Sequence, residues 1–220
     1  MELNQPLKNH FTESAFPFIS SLLEPHALEV KIVKSRATKF GDFNPIPKKK
    51  KEIPVITLND NLNPYHFLIT FLHEFAHYLV WTDGHLYARP HGRMWKKHYS
   101  SLMNLAIGEN LFPDSLLPSL IRHADNPAAS SSGDIRLSKE LTKFDKQPEE
   151  GIYVENLKDG SIFSTARHEI FRREKKLRKR VLCTHIKNRR KYLFSPVYRV
   201  FPMKNNQHLL VFPNVFIFLP

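Results

Sequence analysis

The pattern of apolar and polar residues changes several times along the first sixty positions. Residues 5–24 predict one or two short helices, broken at Pro17. Apolar and polar residues then alternate over 28–43, which is typical of half-buried strands, and Gly41 can form a turn or bulge within them. The dense β-branched run at 53–59, IPVITLN, predicts a buried strand.

The next segment has the period and the end signals of a long helix over residues 64–81. Asn63 is a favourable N-cap, and Pro64 takes the first helical position, where its missing N–H costs little. Because this segment is apolar on nearly every face, we expect the helix to lie in the centre of its domain. A second helix is predicted over 91–108, with Gly108 as its C-cap. Its single apolar stripe comprises Trp95, Tyr99, Leu102 or Met103, and Ala106.

The last third of the chain has a different pattern. Residues 124–150 are rich in small and polar residues and are interpreted as a linker. From residue 151 onward, short β-prone runs predict a small all-β module over 151–220. The predicted fold class is therefore α+β, with a domain of helices and a small β-sheet at 1–123 followed by this module. The apolar run at 208–220 is expected to add an edge strand or to pack on the module.

Composition limits the class of protein. The chain has 220 residues, of which 41% are hydrophobic, so it is long enough to bury a substantial core. Its single cysteine, Cys183, excludes an internal disulfide and a cysteine-built zinc site, and favours a reducing compartment. No secretory signal is recognisable, and the apolar run of 13 residues at 208–220 is too short to span a bilayer. We therefore expect a soluble cytoplasmic protein, and association with the nucleoid is compatible with this composition.

Charge is distributed unevenly along the chain. The net charge is +12, yet residues 1–150 hold 18 Lys and Arg against 17 Asp and Glu. Residues 151–220 hold 15 against 4. This asymmetry predicts a polyanion partner, DNA or RNA, whereas the alternative is a solvated charged surface. The candidate nucleic-acid-binding residues are Arg172, Arg173, Lys175, Lys176, Arg178, Lys179, Arg180, Arg189, Arg190 and Lys191. Aromatic residues interleave with them and could stack on unpaired bases.

The segment FLHEFAHYLV contains a candidate zinc site. Because His73 and His77 are four residues apart in a predicted helix, they share one face, and zinc binds imidazole nitrogen at about 2.0–2.1 Å. Glu74 is offset by about 100° and can act as general base on water at the metal without being a ligand. The alternative is a buried helix with hydrogen-bonded histidines. Three ionisable groups on an apolar helix are costly to bury without a partner, which favours the metal.

A catalytic zinc needs a third protein ligand and an open position. His91 is the best candidate, because the loop before it is long enough to fold back and Gly92 would let the backbone approach closely. His85, within the loop, and Glu109, beyond the second predicted helix, are the alternatives.

Three motifs carry a resemblance to a known family. They are SRATKFGDFNP at 35–45, ITLNDNLNPYHFLITFLHEFAHYLV at 56–80 and HGRMWKKHYSSLM at 91–103. In this order they resemble the SprT-like family, in its bacterial form, whose eukaryotic relative is the Spartan protease. The resemblance extends over residues 1–110 and, more loosely, over 151–202.

The resemblance implies a zincin-like metalloprotease core that cleaves proteins bound or crosslinked to DNA. It implies one catalytic Zn²⁺ held by His73, His77 and His91, with Glu74 as general base. Many members carry a cysteine-rich zinc ribbon, which this chain lacks, so we expect no second zinc and DNA binding by charge and aromatic residues alone. Two other functions compete: a nucleic-acid-binding protein with a structural zinc and no protease activity, and a zinc hydrolase of a non-protein amide or ester.

Overall fold

Two structural units make up the chain in the computed structural model, residues 1–148 and residues 149–220. Over the described residues it contains six helices and two sheets, which confirms the predicted mixed α+β class. No described helix combines the length and the apolar character needed to cross a bilayer. The lysine run at 48–51 and the apolar run at 208–220 lie outside the described residues. The described residues are 5–36, 38–45, 53–85, 87–128, 133–146 and 150–203.

The first unit consists of a three-stranded sheet and the helices. The helices are α1 Gln5–Lys8, α2 Phe16–Leu23, α3 Pro64–Thr82, α4 Arg93–Gly108, α5 Leu117–Asp125 and α6 Ile135–Thr142, with a 3-10 turn at Glu13–Ala15. The strands are β1 Glu29–Val33, β2 Gly41–Asn44 and β3 Val55–Asn59. Strand β3 is central, parallel to β1 and antiparallel to β2. Strand β2 is therefore an edge strand of the described sheet.

Helix α3 lies at the centre of this unit, as its pattern predicted. The side chain of Asn63 accepts a hydrogen bond from the backbone N–H of His66 at 2.9 Å, and Pro64 begins the helix, so both start signals are confirmed. Helix α3 packs against α4, β2 and β3. Its buried apolar side chains surround the helix axis and include Phe67, Leu68, Ile69, Phe71, Leu72, Phe75, Ala76, Tyr78 and Val80.

Some predicted boundaries are wrong for local reasons. Pro17 lies in the first turn of α2, where proline is tolerated, so the helix break precedes it. Helix α4 begins at Arg93 rather than at residue 91, because His91 has a left-handed backbone with φ of 56°. At the other end, α4 finishes at Gly108, but the left-handed residue after it is Asn110, with φ of 55°.

The predicted linker at 124–150 contains a structured helix. Helix α6 buries Leu137 and Leu141 in the core of the first unit. The side-chain amide of Asn63 donates to the carbonyl oxygen of Leu141 at 2.9 Å and to the carboxylate of Asp145 at 2.6 Å. The linker interpretation is therefore wrong for these residues, because two apolar side chains four positions apart suffice to dock a short helix.

The second unit is built on one antiparallel sheet with the strand order β4-β9-β5-β6-β7-β8. Its strands are β4 Ile152–Tyr153, β5 Ile162–Ser164, β6 Ile170–Lys176, β7 Val181–His185, β8 Lys191–Phe194 and β9 Arg199–Pro202. Its core comprises Val154, Leu157, Phe163, Phe171, Val181, Cys183 and Val200. Burial raises the pKa of the Cys183 thiol to about 12, so this cysteine is a packing residue.

Candidate metal centre

Three histidines of the first unit converge on one point. His73 and His77 project from α3 one turn apart, and His91 lies in the loop before α4. The Nε2 atom of His91 is 3.0 Å from that of His73 and 3.1 Å from that of His77, and the three residues form a group that could hold a metal ion. Three imidazole nitrogens on a tetrahedral zinc would be separated by about 3.3 Å. The observed spacing therefore fits a shared ion.

A tight turn holds His91 in this position. Its φ of 56° is uncommon for a residue with a side chain and persists only where the surroundings impose it. The N–H of Gly92 donates to the carbonyl oxygen of Arg89 at 2.9 Å. A Cβ atom at Gly92 would lie 2.8 Å from that oxygen, so the close approach inferred from the sequence is confirmed. The turn directs His91 toward the two histidines of α3.

Burial keeps the three imidazoles in the form that binds metal. Loss of solvation lowers the pKa of His73 to about 2 and that of His77 to about 4, and it also lowers the pKa of His91. Neighbouring imidazoles lower the pKa of His73 and His77 further. Neutral imidazole is the ligand form, so the group needs no deprotonation at neutral pH.

Glu74 lies beside this group, buried against edge strand β2. Loss of solvation raises the pKa of its carboxyl to about 8, the charge of Asp42 adds to this, and a hydrogen bond from the backbone N–H of Phe43 opposes it. A carboxyl with a pKa near neutrality can both accept and release a proton at the pH of a cell.

Gly41 is a close-packed position beside Glu74 whose role the sequence pattern did not reveal. It was interpreted as a turn or bulge, but it lies within β2, directly against Glu74. A Cβ atom at Gly41 would lie 2.8 Å from Cγ and Oε1 of Glu74 and 2.8 Å from Cγ2 of Thr70. Glycine is therefore required by the close approach of the strand to the helix. Only the tertiary packing reveals this requirement.

We expect Gly41→Ala to destabilise the fold by about 1–3 kcal/mol, because the added methyl overpacks the space beside Glu74. Gly108→Ala is the matched control, since a Cβ there meets no atom within 4 Å and the residue is helical. That control should be neutral or gain up to about 1 kcal/mol. Urea unfolding of both variants measures the difference. Equal unfolding free energies in the two variants would contradict the packing role of Gly41.

A cavity of about 470 Å³ opens beside the histidines. Glu74, His77 and His91 line one part of it, and residues of β2, of the end of α3, of the loop before α4 and of the start of α4 line the rest. His85 also lines the cavity but is not a member of the three-histidine group, and Glu109 is exposed at the end of α4. Of the three candidates for a third ligand, the structure brings only His91 to the pair on α3.

Arg173, one of the ten candidate nucleic-acid-binding residues in the second unit, is a structural residue. Only 6% of its surface is exposed, and its guanidinium forms an ion pair with Asp159. Its register partner on β7 is the buried Cys183, so the alternation of the strand turns this side chain inward. The interpretation of Arg173 as a binding residue is therefore wrong.

Several of the exposed basic residues of this unit fall into three groups. Arg172 and Lys191 share a sheet face through the register Arg172–Thr184–Lys191. The turns at 177–180 and 186–190 lie at opposite ends of β7, roughly 13 Å apart along a five-residue strand. The first turn carries Arg178, Lys179 and Arg180, and the second carries Lys187, Arg189 and Arg190.

Besides Arg173, strand β6 carries three candidate residues. Arg172 pairs with Glu174 at 3.1 Å, and Lys176 pairs with Glu155 at 2.7 Å, while Lys175 is exposed. Lys187, absent from the sequence prediction, is exposed in the second turn. Over residues 150–203, six exposed basic residues lie at the two turns, and Arg172, Lys175, Lys176 and Lys191 are exposed on the strands.

Comparison with known proteins finds no matching family model, no matching curated protein and no matching solved structure. The fold and the site define a mixed α+β protein with a three-histidine group that could hold a metal ion.

Proposed function

We propose that this protein is a zinc-dependent endopeptidase of the SprT-like family, with a zincin-like core, that cleaves proteins bound or crosslinked to DNA. The observation that carries the proposal is the convergence of His73, His77 and His91 beside the buried carboxyl of Glu74. A purely structural zinc site is usually closed by four protein ligands. Three ligands next to a cavity and an ionisable carboxyl are typical of a catalytic site instead.

The proposed chemistry divides between the metal and one side chain. Zinc held by the three imidazoles would polarise a peptide carbonyl and lower the pKa of water to about 7. The Glu74 carboxylate accepts a proton from the attacking water as its oxygen bonds to the carbonyl carbon. The same carboxyl then donates this proton to the nitrogen that leaves. Its raised pKa suits both transfers, and the charge of a bound metal would bring that pKa down toward neutrality.

Edge strand β2 supports an extended peptide as the substrate. Asp42 and Phe43 of this strand line the cavity with Glu74. The N–H of Phe43 donates to Glu74 and is therefore not paired with β3. The edge of β2 that lies away from β3 thus faces the candidate site. An extended chain that adds to the edge of a sheet gains backbone hydrogen bonds, and here it would use backbone groups of β2 other than the N–H of Phe43, which Glu74 engages. A substrate bound in this way would pass across Glu74.

The DNA part of the proposal rests on the charge of the second unit and on the family resemblance. Residues 151–220 have an excess of 11 positive charges, and six exposed basic residues of the described part lie at the turns 177–180 and 186–190. Such clusters bind phosphates without regard to base sequence, and their affinity falls with salt.

We expect the zinc-loaded protein to cleave a protein crosslinked to a DNA oligonucleotide, and to cleave the same protein without DNA more slowly. Because the chemistry requires the metal, a chelator should stop cleavage and added zinc should restore it. Gel analysis of labelled substrate measures both. Absence of cleavage by the zinc-loaded protein would overturn the endopeptidase. Equal rates with and without DNA, unchanged by salt, would overturn the DNA part alone.

A further inference from the structure

A buried polar chain runs behind the metal centre and is not used by the proposed chemistry. The hydroxyl of Tyr99 on α4 lies 3.3 Å from Nε2 of His123 on α5, and Nδ1 of His123 lies 3.2 Å from Oδ2 of Asp134. The side chains of Tyr99 and His123 are each 1% exposed. Polar groups buried to this extent are costly unless each has a partner, and here each partner is supplied by a different helix or helix cap.

Asp134 is the fixed end of this chain. It is the N-cap of α6, and its Oδ1 atom accepts hydrogen bonds from the backbone N–H groups of Arg136 at 3.2 Å and Leu137 at 3.1 Å. Its other oxygen is directed to His123. A carboxylate can only accept, so Nδ1 of His123 donates to it, and in the neutral imidazole Nε2 then accepts from the Tyr99 hydroxyl. Burial lowers the pKa of His123, which agrees with a neutral ring.

The other end of the chain reaches the three histidines through Trp95. The rings of Tyr99 and Trp95 are stacked, with centroids 4.8 Å apart and planes 14° apart. The indole N–H of Trp95 donates to the carbonyl oxygen of His73 at 3.2 Å. Its ring lies 4.6 Å from the ring of His73, 5.5 Å from that of His77 and 4.7 Å from that of His91. One aromatic ring therefore contacts all three candidate ligands.

We propose that His123 is a positioning residue for the metal centre: tied to Asp134, it fixes Tyr99, and Tyr99 fixes the Trp95 ring against the three imidazoles. This inference rests on the metal-binding part of the proposed function and is independent of proteolysis. In this proposal, α5 and α6, which lie beyond the motifs of the family resemblance, help to position the three histidines. Groups that hydrogen-bond directly to metal ligands typically change metal affinity about 10- to 100-fold when they are removed. Because His123 acts through Tyr99 and Trp95, we expect its effect at the lower end of this range.

The test compares variants in the full-length protein by zinc affinity, measured by competition with a chromophoric chelator, and by the visible spectrum of the Co²⁺-substituted protein. His123→Leu removes both hydrogen bonds at similar volume and should weaken zinc binding about 10-fold and shift the Co²⁺ bands. His123→Gln can still accept from Tyr99 and should restore most of the affinity. Tyr99→Phe breaks the same bond with almost no change in volume and should act in the same direction as His123→Leu.

Leu137→Ala is the control, because it leaves a cavity under α6, the helix that Asp134 caps, and removes no side chain of the polar chain. We expect it to lose stability in urea while zinc affinity and the Co²⁺ spectrum stay at wild-type values. Wild-type affinity and spectrum in both His123→Leu and Tyr99→Phe would overturn the positioning role. The same loss of affinity in Leu137→Ala would also overturn it, since general destabilisation would then explain the effect. A wild-type protein that binds neither Zn²⁺ nor Co²⁺ would overturn the proposed metal centre itself.

Discussion

Glu74→Gln is expected to lower cleavage of a DNA-crosslinked protein by about 100- to 10,000-fold while zinc stays at about one ion per chain. Glutamine has the shape of glutamate and can still accept the hydrogen bond from the N–H of Phe43, but it cannot take a proton from water. Because burial raises the pKa of Glu74, the charged form is disfavoured in this position. The neutral variant should therefore be at least as stable as the wild type, and lost activity would not reflect unfolding.

The measurement is the initial rate of cleavage at matched zinc content, with unfolding in urea as a check on stability. Glu109→Gln is the control, because Glu109 is an exposed carboxylate at the end of α4, outside the histidine group. It should cleave at the wild-type rate. Cleavage by Glu74→Gln at the wild-type rate would rule out the general-base role.

The same experiment separates the competing functions. A wild-type protein that holds zinc and binds DNA but cleaves nothing would leave a nucleic-acid-binding protein with a structural zinc as the function. Turnover of small amides or esters without cleavage of protein substrates would favour a hydrolase of non-protein bonds, and the positive charge of residues 151–220 would then need a separate role.

Local signals in the sequence were enough to predict the element that carries the site. The start of α3 depends on Asn63 and Pro64, and its central position follows from its apolar surface, so neither requires knowledge of the rest of the fold. The pairing of His73 with His77 follows from helix geometry alone. The third histidine could be proposed because the glycine after it indicated a close turn, which the structure contains at Arg89 and Gly92.

Features that depend on contacts between distant elements could not be predicted in this way. Gly41 matters only because β2 packs against Glu74, and the sequence around it indicates no more than a turn. His123 and Asp134 meet through the packing of α5 and α6, which the polar composition of 124–150 concealed. Arg173 was misjudged because a run of basic residues hides which strand positions turn inward.

His91→Ala is expected to weaken zinc binding more than about 100-fold, beyond the range for residues that merely orient ligands, because it removes one of the three proposed ligands. His85→Ala is the matched control, since His85 lies in the same loop and lines the same cavity but is not part of the three-histidine group. It should keep about one zinc per chain. Elemental analysis after gel filtration, with the wild type alongside, measures both.

The two histidines differ in their backbone conformation. His91 occupies a left-handed conformation with φ of 56°, which is costly unless something at that position gains from it. In the proposed function, a metal bond to the Nε2 atom of His91 would offset that cost, whereas the backbone of His85 is not left-handed. Unfolding of both variants in the presence of a chelator should match the metal-free wild type, so that zinc loss cannot be attributed to a damaged fold. Zinc loss in His85→Ala with retention in His91→Ala would reverse the ligand assignment. A wild-type protein that binds no zinc would show that α3 is a buried helix without a metal site.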